Sequence, residues 1–262
     1  MNIALIGAGN VATHLGRALK ENGHTIVQVF SRTEASASSL ADKLNAHYTT
    51  TPQEIIDHAD LYLFSIKDDA IALVLDAMNT GNGLYVHTAG SVPLEIFQGK
   101  AQRYGVLYPL QTFSKAREVS FQEIPLLVEA ANEADTTLLL EVAESLSGTV
   151  RLISSEQRKH LHLSAVFACN FVNHLYTISM EISDKAGVDP SLLLPMLKET
   201  VAKIETLSPA QAQTGPAVRN DRHVMEKHLA LIEKEKTREI YRLLSQSIHE
   251  YAVEINKTIL SL

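Results

Sequence analysis

The sequence predicts an α/β fold, a doubly wound and mostly parallel sheet, followed by an all-α C-terminal domain. Three observations carry that prediction. Short apolar runs alternate with stretches of helical period through residues 1–153. A glycine-rich turn follows the first of those runs directly. After Ile153 the short runs stop and only the helical period remains. With 262 residues, 45% of them hydrophobic, the chain has material for two domains of ordinary size. Their expected extents are 1–153 and 154–262.

The expected strands are Asn2–Ile6, Thr25–Phe30, Leu61–Ile66, Leu84–His87, Gly105–Leu110, Ile124–Val128 and Thr149–Ile153. Runs of this length, rich in Ile, Val and Leu, fit strands buried on both faces. The first several are far enough apart for the crossover helices that parallel strands require. Thr51-Pro52-Gln53-Glu54 reads as a capping box opening a helix, and Asp68 and Asp69 as caps for the helix after the Leu61 strand. Gly81-Asn82-Gly83 is a turn. In the second half no breaker interrupts Glu156–Ala186, and Gly187 supplies a stop. Asp189-Pro190 restarts a helix, with Pro195 far enough inside to require a short turn first. A Pro/Gly-containing stretch spans Ser208–Asp221, and helical period returns from about His223 to Leu260.

Gly7-Ala8-Gly9-Asn10-Val11-Ala12, between the first strand and the first helix, has the G-x-G-x-x-A form of a dinucleotide fingerprint. The first Gly permits the tight turn, the second lets backbone approach a pyrophosphate, and the small third residue lets helix and strand pack closely. The helix that follows offers unpaired N–H groups and a positive dipole end to phosphates. A second strand at Thr25 completes the context this motif needs, so the first domain reads as Rossmann-type. Cofactor choice is made at the end of that strand. An NAD site places Asp or Glu there, whereas this chain has Phe30-Ser31-Arg32-Thr33. A guanidinium flanked by Ser31 and Thr33 suits a 2′-phosphate, which points to NADP. A solvated Arg32 with Ser31 or Thr33 as a helix cap is the alternative. Two further strand ends should line the cofactor cleft: Ser65-Ile66-Lys67, and Thr88-Ala89-Gly90 after His87. His87 is a candidate for meeting substrate, or a structural strand-end histidine.

Charge narrows the function classes. Residues 1–153 hold 10 Lys and Arg against 17 Asp and Glu, and residues 154–262 hold 13 of each. Neither half has the basic excess expected of a nucleic-acid or anionic-membrane binder. An anionic cofactor in the first half must be held by local dipoles and single cations against the average field. The single cysteine, Cys169, excludes an intrachain disulfide and suits a reducing cytoplasm. No 18-residue apolar run and no signal-peptide pattern is present. His160 and His162, two apart on a helix, and His223 and His228, five apart, lack metal-ligand spacing.

The chain resembles Rossmann-type proteins that pair an NADP-binding domain with a C-terminal helical domain of unassigned function. They stand within the wider group of pyrroline-carboxylate reductase, ketopantoate reductase and the β-hydroxyacid and phosphogluconate dehydrogenases. The segments that carry the resemblance are the glycine loop, Ser31-Arg32-Thr33, Val86–Gly90, Tyr108-Pro109-Leu110-Gln111-Thr112-Phe113-Ser114, Leu161–Asn173 and Thr214–Asp221. It implies a helical domain that often forms a homodimer, with the active cleft between domains. One departure stands out. β-Hydroxyacid dehydrogenases carry a catalytic lysine four residues before an asparagine on the first helix of the second domain. Here Val166 precedes Asn170 and Cys169 precedes Asn173 at that spacing.

In place of that lysine, the long helix offers His162, Asn170 and Asn173 as candidate catalytic residues. At about 100° per residue His162, Cys169 and Asn173 share one face. An imidazole there can give a proton to a carbonyl or imine under reduction, while an asparagine holds the substrate oxygen. A partly buried helix with polar residues satisfied by neighbours is the bland alternative, and Cys169 reads as a small core residue. Gln111, Thr112 and Arg219 are candidate substrate contacts. Turn chemistry explains the first two almost as well, and Arg219 can instead pair with Asp221. The expected function is an NADP-dependent oxidoreductase moving hydride to or from a small carbonyl, imine or alcohol. A non-catalytic NADP-binding sensor or partner-binding protein is the alternative, and hydride transfer to a second cofactor such as a deazaflavin is a third reading.

Overall fold

Ile3 and Leu5 of the first strand enter one core, and Ala4 and Ile6 enter another on the opposite face. All four are at most 1% exposed, so this strand has to lie inside a layer covered on both sides. The computed structural model, which describes residues 1–260, builds that layer from β1 (Asn2–Ile6), β2 (Thr25–Phe30), β3 (His47–Thr49), β4 (Leu61–Phe64), β5 (Leu84–His87), β6 (Tyr104–Pro109), β7 (Leu126–Ala130) and β8 (Val150–Leu152). The sheet order is β3-β2-β1-β4-β5-β6-β7-β8. Neighbours are parallel except β6 and β7. The order reverses between β1 and β4, and the crevice at that switch point is where an open α/β sheet takes its ligand.

Helices α1 (Asn10–Glu21), α2 (Glu34–Leu44), α3 (Asp68–Ala77), α4 (Glu133–Leu146) and α5 (Ser155–Ala165) accompany the sheet. They are followed by α6 (Val172–Lys185), α7 (Leu194–Lys203), α8 (Pro209–Ala212), α9 (Arg222–Leu231) and α10 (Glu235–Leu260). The chain divides into two compact units, Met1–Cys169 and a helical unit from Asn170 onward. The sheet ends at Leu152, yet α5 belongs to the first unit. The second unit is helical, with Lys185 paired to Glu233 and Lys234 to Glu181 between α6 and the α9–α10 connection. Among the described residues no helix is long and apolar enough to cross a membrane.

Every expected strand forms, three with the expected ends (Asn2–Ile6, Thr25–Phe30 and Leu84–His87) and four with ends shifted by one or two residues. β3 has no apolar run to announce it: His47 and Tyr48 are exposed, and only Thr49 is buried. Thr51–Glu54 does not open an α-helix. Pro52–Glu54 makes a single 3-10 turn, because its groups are claimed from outside. Thr49 Oγ1 donates to the Glu54 carboxylate at 2.5 Å, and the Gln28 amide bonds the Glu54 carbonyl and the Ile56 N–H. Asp68 and Asp69 are not caps either. Lys67 is the N-cap of α3, its side chain makes no capping bond, and Asp68 instead receives a hydrogen bond from Ser91. The predicted short turn before Pro195 forms at Pro190–Leu193, and Gly187 ends α6 at φ +68°.

The uninterrupted helix expected over Glu156–Ala186 contains a π-helical turn at Val166–Phe171. That turn holds more residues than an α-turn, so the 100° wheel does not carry the face of His162 through to Cys169 and Asn173. Cys169 is exposed rather than a core residue.

A buried ion pair fastens α5 to the sheet. Arg158 is 0% exposed and donates to Glu129 of β7 at 2.6 Å, to the Val92 carbonyl at 2.5 Å and to Ser155 Oγ at 3.1 Å. The same carboxylate accepts from the Ser155 backbone N–H at 2.8 Å and its hydroxyl at 2.7 Å. Removing one partner leaves a charge in the interior. Glu129→Gln is therefore expected to lower unfolding stability by about 3 kcal/mol. The Glu129→Gln/Arg158→Met double variant is expected to lose less than the sum of the single losses, as read from urea denaturation.

Candidate functional site

Gly7 closes β1 in a conformation that other residues resist, φ +124°. A Cβ there would also meet the Ser65 carbonyl oxygen at 2.3 Å. This turn aims the chain into α1, whose N-cap is Gly9. Gly9 brings no capping side chain, and the first turn holds no acidic residue, so the leading amides of α1 remain available to an anion. A Cβ at Gly9 would meet nothing within 4 Å, which leaves open room for a ligand against the backbone. Ala12 is fully buried, as the close packing of helix on strand demands.

In front of this loop lies a cleft of about 730 Å³. It is lined by Gly7, Ala8, Gly9 and Asn10, by Phe30, Ser31, Arg32, Thr33 and Ser36 after β2, and by Ser65, Ile66 and Lys67 after β4. The structure thus brings Ser31, Arg32 and Thr33 to the same cleft as the glycine loop. Arg32 and Thr33 are exposed, and Thr33 is the N-cap of α2 with no side-chain capping bond. Three cations line the cleft, Arg32, Lys67 and Lys115, against one carboxylate, Asp69. That local excess of positive charge in an acidic domain is the electrostatic requirement set by an anionic cofactor. These groups fit NADP. Arg32 with its flanking hydroxyls would hold the 2′-phosphate, and the α1 amides the pyrophosphate.

The end of β5 carries the other half of the site. Thr88 is buried and donates to Ser65 Oγ at 3.1 Å and to the Phe64 carbonyl at 3.3 Å, tying two strand ends together. Gly90 lies directly under His162: a Cβ there would come within 2.6 Å of the imidazole ring. His162 Nδ1 is 3.0 Å from the Tyr108 hydroxyl at the end of β6. Burial raises the Tyr108 phenol above its ordinary value, with the Arg158 charge partly opposing. The phenol therefore keeps its proton and pairs with Nδ1, so Nε2 is the ring nitrogen outside that bond. His162 stands one helical turn beyond Arg158, so the buried ion pair sets its position.

Several candidates lie apart from these two clusters. His87 is fully buried, and its ring stacks toward Phe97 with centroids 5.8 Å apart. Its Nδ1 accepts from the Ala89 N–H at 3.2 Å, so as placed it faces protein and not a cleft. Gln111 and Thr112 are exposed, and Gln111 Oε1 accepts from the Thr112 N–H at 2.7 Å in a local turn. Asn170, Asn173 and Arg219 belong to the second unit and are exposed. No Arg219–Asp221 pair forms; Asp221 caps α9 through the Val224 N–H at 3.2 Å.

Sequence reasoning missed Tyr108 as the partner of His162, because 54 residues separate them and no local pattern joins them. It also missed Lys115, whose ammonium donates to the Ala8 carbonyl at 2.8 Å. The scarcity of cations in the first half was the available signal for Lys115.

Comparison with known proteins follows the same division. Residues 2–87 match the family described as NADP oxidoreductase, coenzyme F420-dependent. Residues 124–248 match a domain of unknown function, DUF2520. A “putative NADP oxidoreductase” of Bacteroides fragilis, BF3122, is 46% identical with a TM-score of 0.89, over 95% of this chain and 98% of that one. Protein TM1727 of Thermotoga maritima is 26% identical with a TM-score of 0.76, over 95% and 99% of the two chains. An imine reductase from Myxococcus stipitatus in complex with NADP+ shares the fold at 19% identity and a TM-score of 0.64, over 98% and 95%. None of the curated proteins compared matches the chain.

The burial of His87 gives a pH signature. Burial first, and the Arg158 charge second, push its pKa from 6.5 down to about 3, with weak opposition from the Pro93 carbonyl. Above 6.5 the ring is neutral in both states and this stability is fully present. Below it the unfolded chain takes up a proton that the folded ring refuses, so stability falls until the folded ring protonates near pH 3. The loss from this group between pH 7 and pH 5 is about 2 kcal/mol. His87→Asn, which keeps an acceptor for the Ala89 N–H, is expected to reduce that pH-dependent loss in urea titrations at the two pH values.

Proposed function

This chain belongs to the NADP oxidoreductase family of which the Bacteroides fragilis protein is a member, and on that premise we propose that it moves hydride between NADP and a small carbonyl or imine, or the corresponding reduced substrate. Its cofactor is NADP. The observation that carries the reading is His162 seated over Gly90 at the sheet edge and hydrogen-bonded to Tyr108. When bound, NADPH supplies the hydride, which adds to the substrate carbon. The electron pair displaced from the double bond goes to the oxygen or nitrogen, and the His162 imidazolium gives this atom the proton from Nε2–H and is left as the neutral ring. Tyr108 is a positioning residue: its hydroxyl holds Nδ1 and so fixes the ring orientation before and after the proton leaves Nε2. Thr88 and Ser65 hold the strand ends on which the nicotinamide half of the cofactor would rest. The small-molecule substrate would enter above Gly90.

A second reading has its own observation. With Val166 and Cys169 where hydroxyacid dehydrogenases keep lysine, the protein could bind NADP as a sensor without turnover. The description of the matched family also names coenzyme F420, which supports a large deazaflavin as the hydride partner. We favour direct reduction of a small substrate, because the His162–Tyr108 pair provides the proton that a carbonyl or imine needs and that a sensor does not.

The helical unit supports a homodimer. It exposes several large apolar side chains, among them Leu192 at 70%, Leu231 at 77% and Leu243 at 68%. Sedimentation at micromolar concentration is expected to give twice the chain mass, and a sharp boundary at 28.8 kDa would exclude the dimer.

On a panel of carbonyls, imines and alcohols followed by NADPH absorbance, His162→Gln is expected to lower kcat at least hundredfold with NADPH affinity within threefold. Tyr108→Phe is expected to lower kcat about tenfold and to move the alkaline limb of the pH profile, where the proton donor is lost. Unchanged kcat in His162→Gln removes His162 from the chemistry, and tight NADPH binding without turnover on the panel supports the sensor.

A further inference from the structure

We propose that Lys115 is a pyrophosphate ligand of the cofactor site, delivered to the glycine loop by the loop 111–118. The inference rests on the NADP reading above and adds a residue that the dinucleotide fingerprint does not contain. The Lys115 ammonium lies 2.8 Å from the Ala8 carbonyl oxygen, in the middle of the G-x-G turn, and its side chain lines the same cleft as Gly9 and Asn10. The other two cations of that cleft stand elsewhere, Arg32 after β2 and Lys67 at the start of α3. Lys115 is therefore the cation at the open N-terminus of α1.

The loop is fixed there by contacts that do not involve Lys115. Asn10 Nδ2 donates to the Phe113 carbonyl at 2.8 Å, and His14 Nε2 donates to the Ser114 carbonyl at 2.9 Å. The His14 and Phe113 rings stack with centroids 5.3 Å apart, and Arg17 pairs with Glu118 at 2.5 Å. One face of α1 thus serves as a rail for the loop, and Lys115 reaches from the loop to the Ala8 carbonyl. A neutral carbonyl is a weaker partner for an ammonium than a phosphate oxygen. A diphosphate at the α1 amides would draw Nζ from Ala8 across the gap that Gly9 leaves open. In a domain of formal charge -7 over residues 1–153, a cation held at this point also offsets the field that opposes an anionic cofactor.

The test is calorimetric titration of the full chain, wild type, Lys115→Met and Arg32→Ala, with NADPH, NADH and adenosine 2′-monophosphate. Lys115→Met is expected to weaken NADPH and NADH alike by tenfold or more, with a shallower dependence on salt. Its affinity for adenosine 2′-monophosphate, which has no pyrophosphate, stays within twofold. Arg32→Ala shows the converse: it loses adenosine 2′-monophosphate and weakens NADPH while sparing NADH. NADPH affinity within twofold in Lys115→Met overturns the proposal and leaves the NADP reading intact. Equal losses for all three ligands in Lys115→Met mark a collapsed loop and overturn it too. A wild-type chain that binds no NADPH removes the NADP reading itself, and the proposal with it.

Discussion

Arg158 and Glu129 form the constraint on which the site depends. The guanidinium is fully buried, and its partner carboxylate also takes both donors of Ser155 at the start of α5. Such a pair adds little net stability over well-packed apolar groups, because two charges lose their water. What it supplies is placement. It pins the first turn of α5 to β7 and to the Val92 backbone, and the next turn then sets His162 over Gly90. The same guanidinium charge lowers the pKa of His87 and opposes the burial that raises Tyr108. One buried cation thus adds to the burial that keeps His87 neutral and orders the elements that hold His162.

The cofactor half obeys a different constraint. Its domain is acidic, so an anion is held by geometry that concentrates positive potential in one place. The α1 N-terminus, the open face of Gly9 and the three lining cations converge on the cleft at the β1/β4 switch point. The cleft and the His162–Tyr108 pair are therefore separate features of the structure. The glycine loop and Arg32 belong to β1, β2 and their helices, whereas Tyr108 belongs to β6 and His162 to α5.

The sheet was legible in the sequence because its strands are buried on both faces and so read as apolar runs. The strand that escaped, β3, is an edge strand with two exposed residues. The cleft was legible because its logic is local: a turn that needs glycine, followed by a helix, with a cation at the next strand end. The local signals failed where a distant partner took over. The Thr51–Glu54 box lost its groups to Thr49 and Gln28, and Asp68 was taken by Ser91. His162 was found from its helix, but its meaning came from Tyr108 and Gly90, which no spacing rule connects to it. The helical wheel that joined His162 to Asn173 failed at the π-turn, which composition does not announce.

The central claim is that the reacting end of the cofactor lies at the β5 edge beside His162. A crystal structure of the protein with NADP and a bound carbonyl or imine ligand tests it most directly. The account predicts the nicotinamide ring against Ala89 and Gly90, with His162 Nε2 in hydrogen-bond reach of the ligand's oxygen or nitrogen and Tyr108 still bonded to Nδ1. A nicotinamide ring turned away from Gly90, with His162 touching neither cofactor nor ligand, would contradict it.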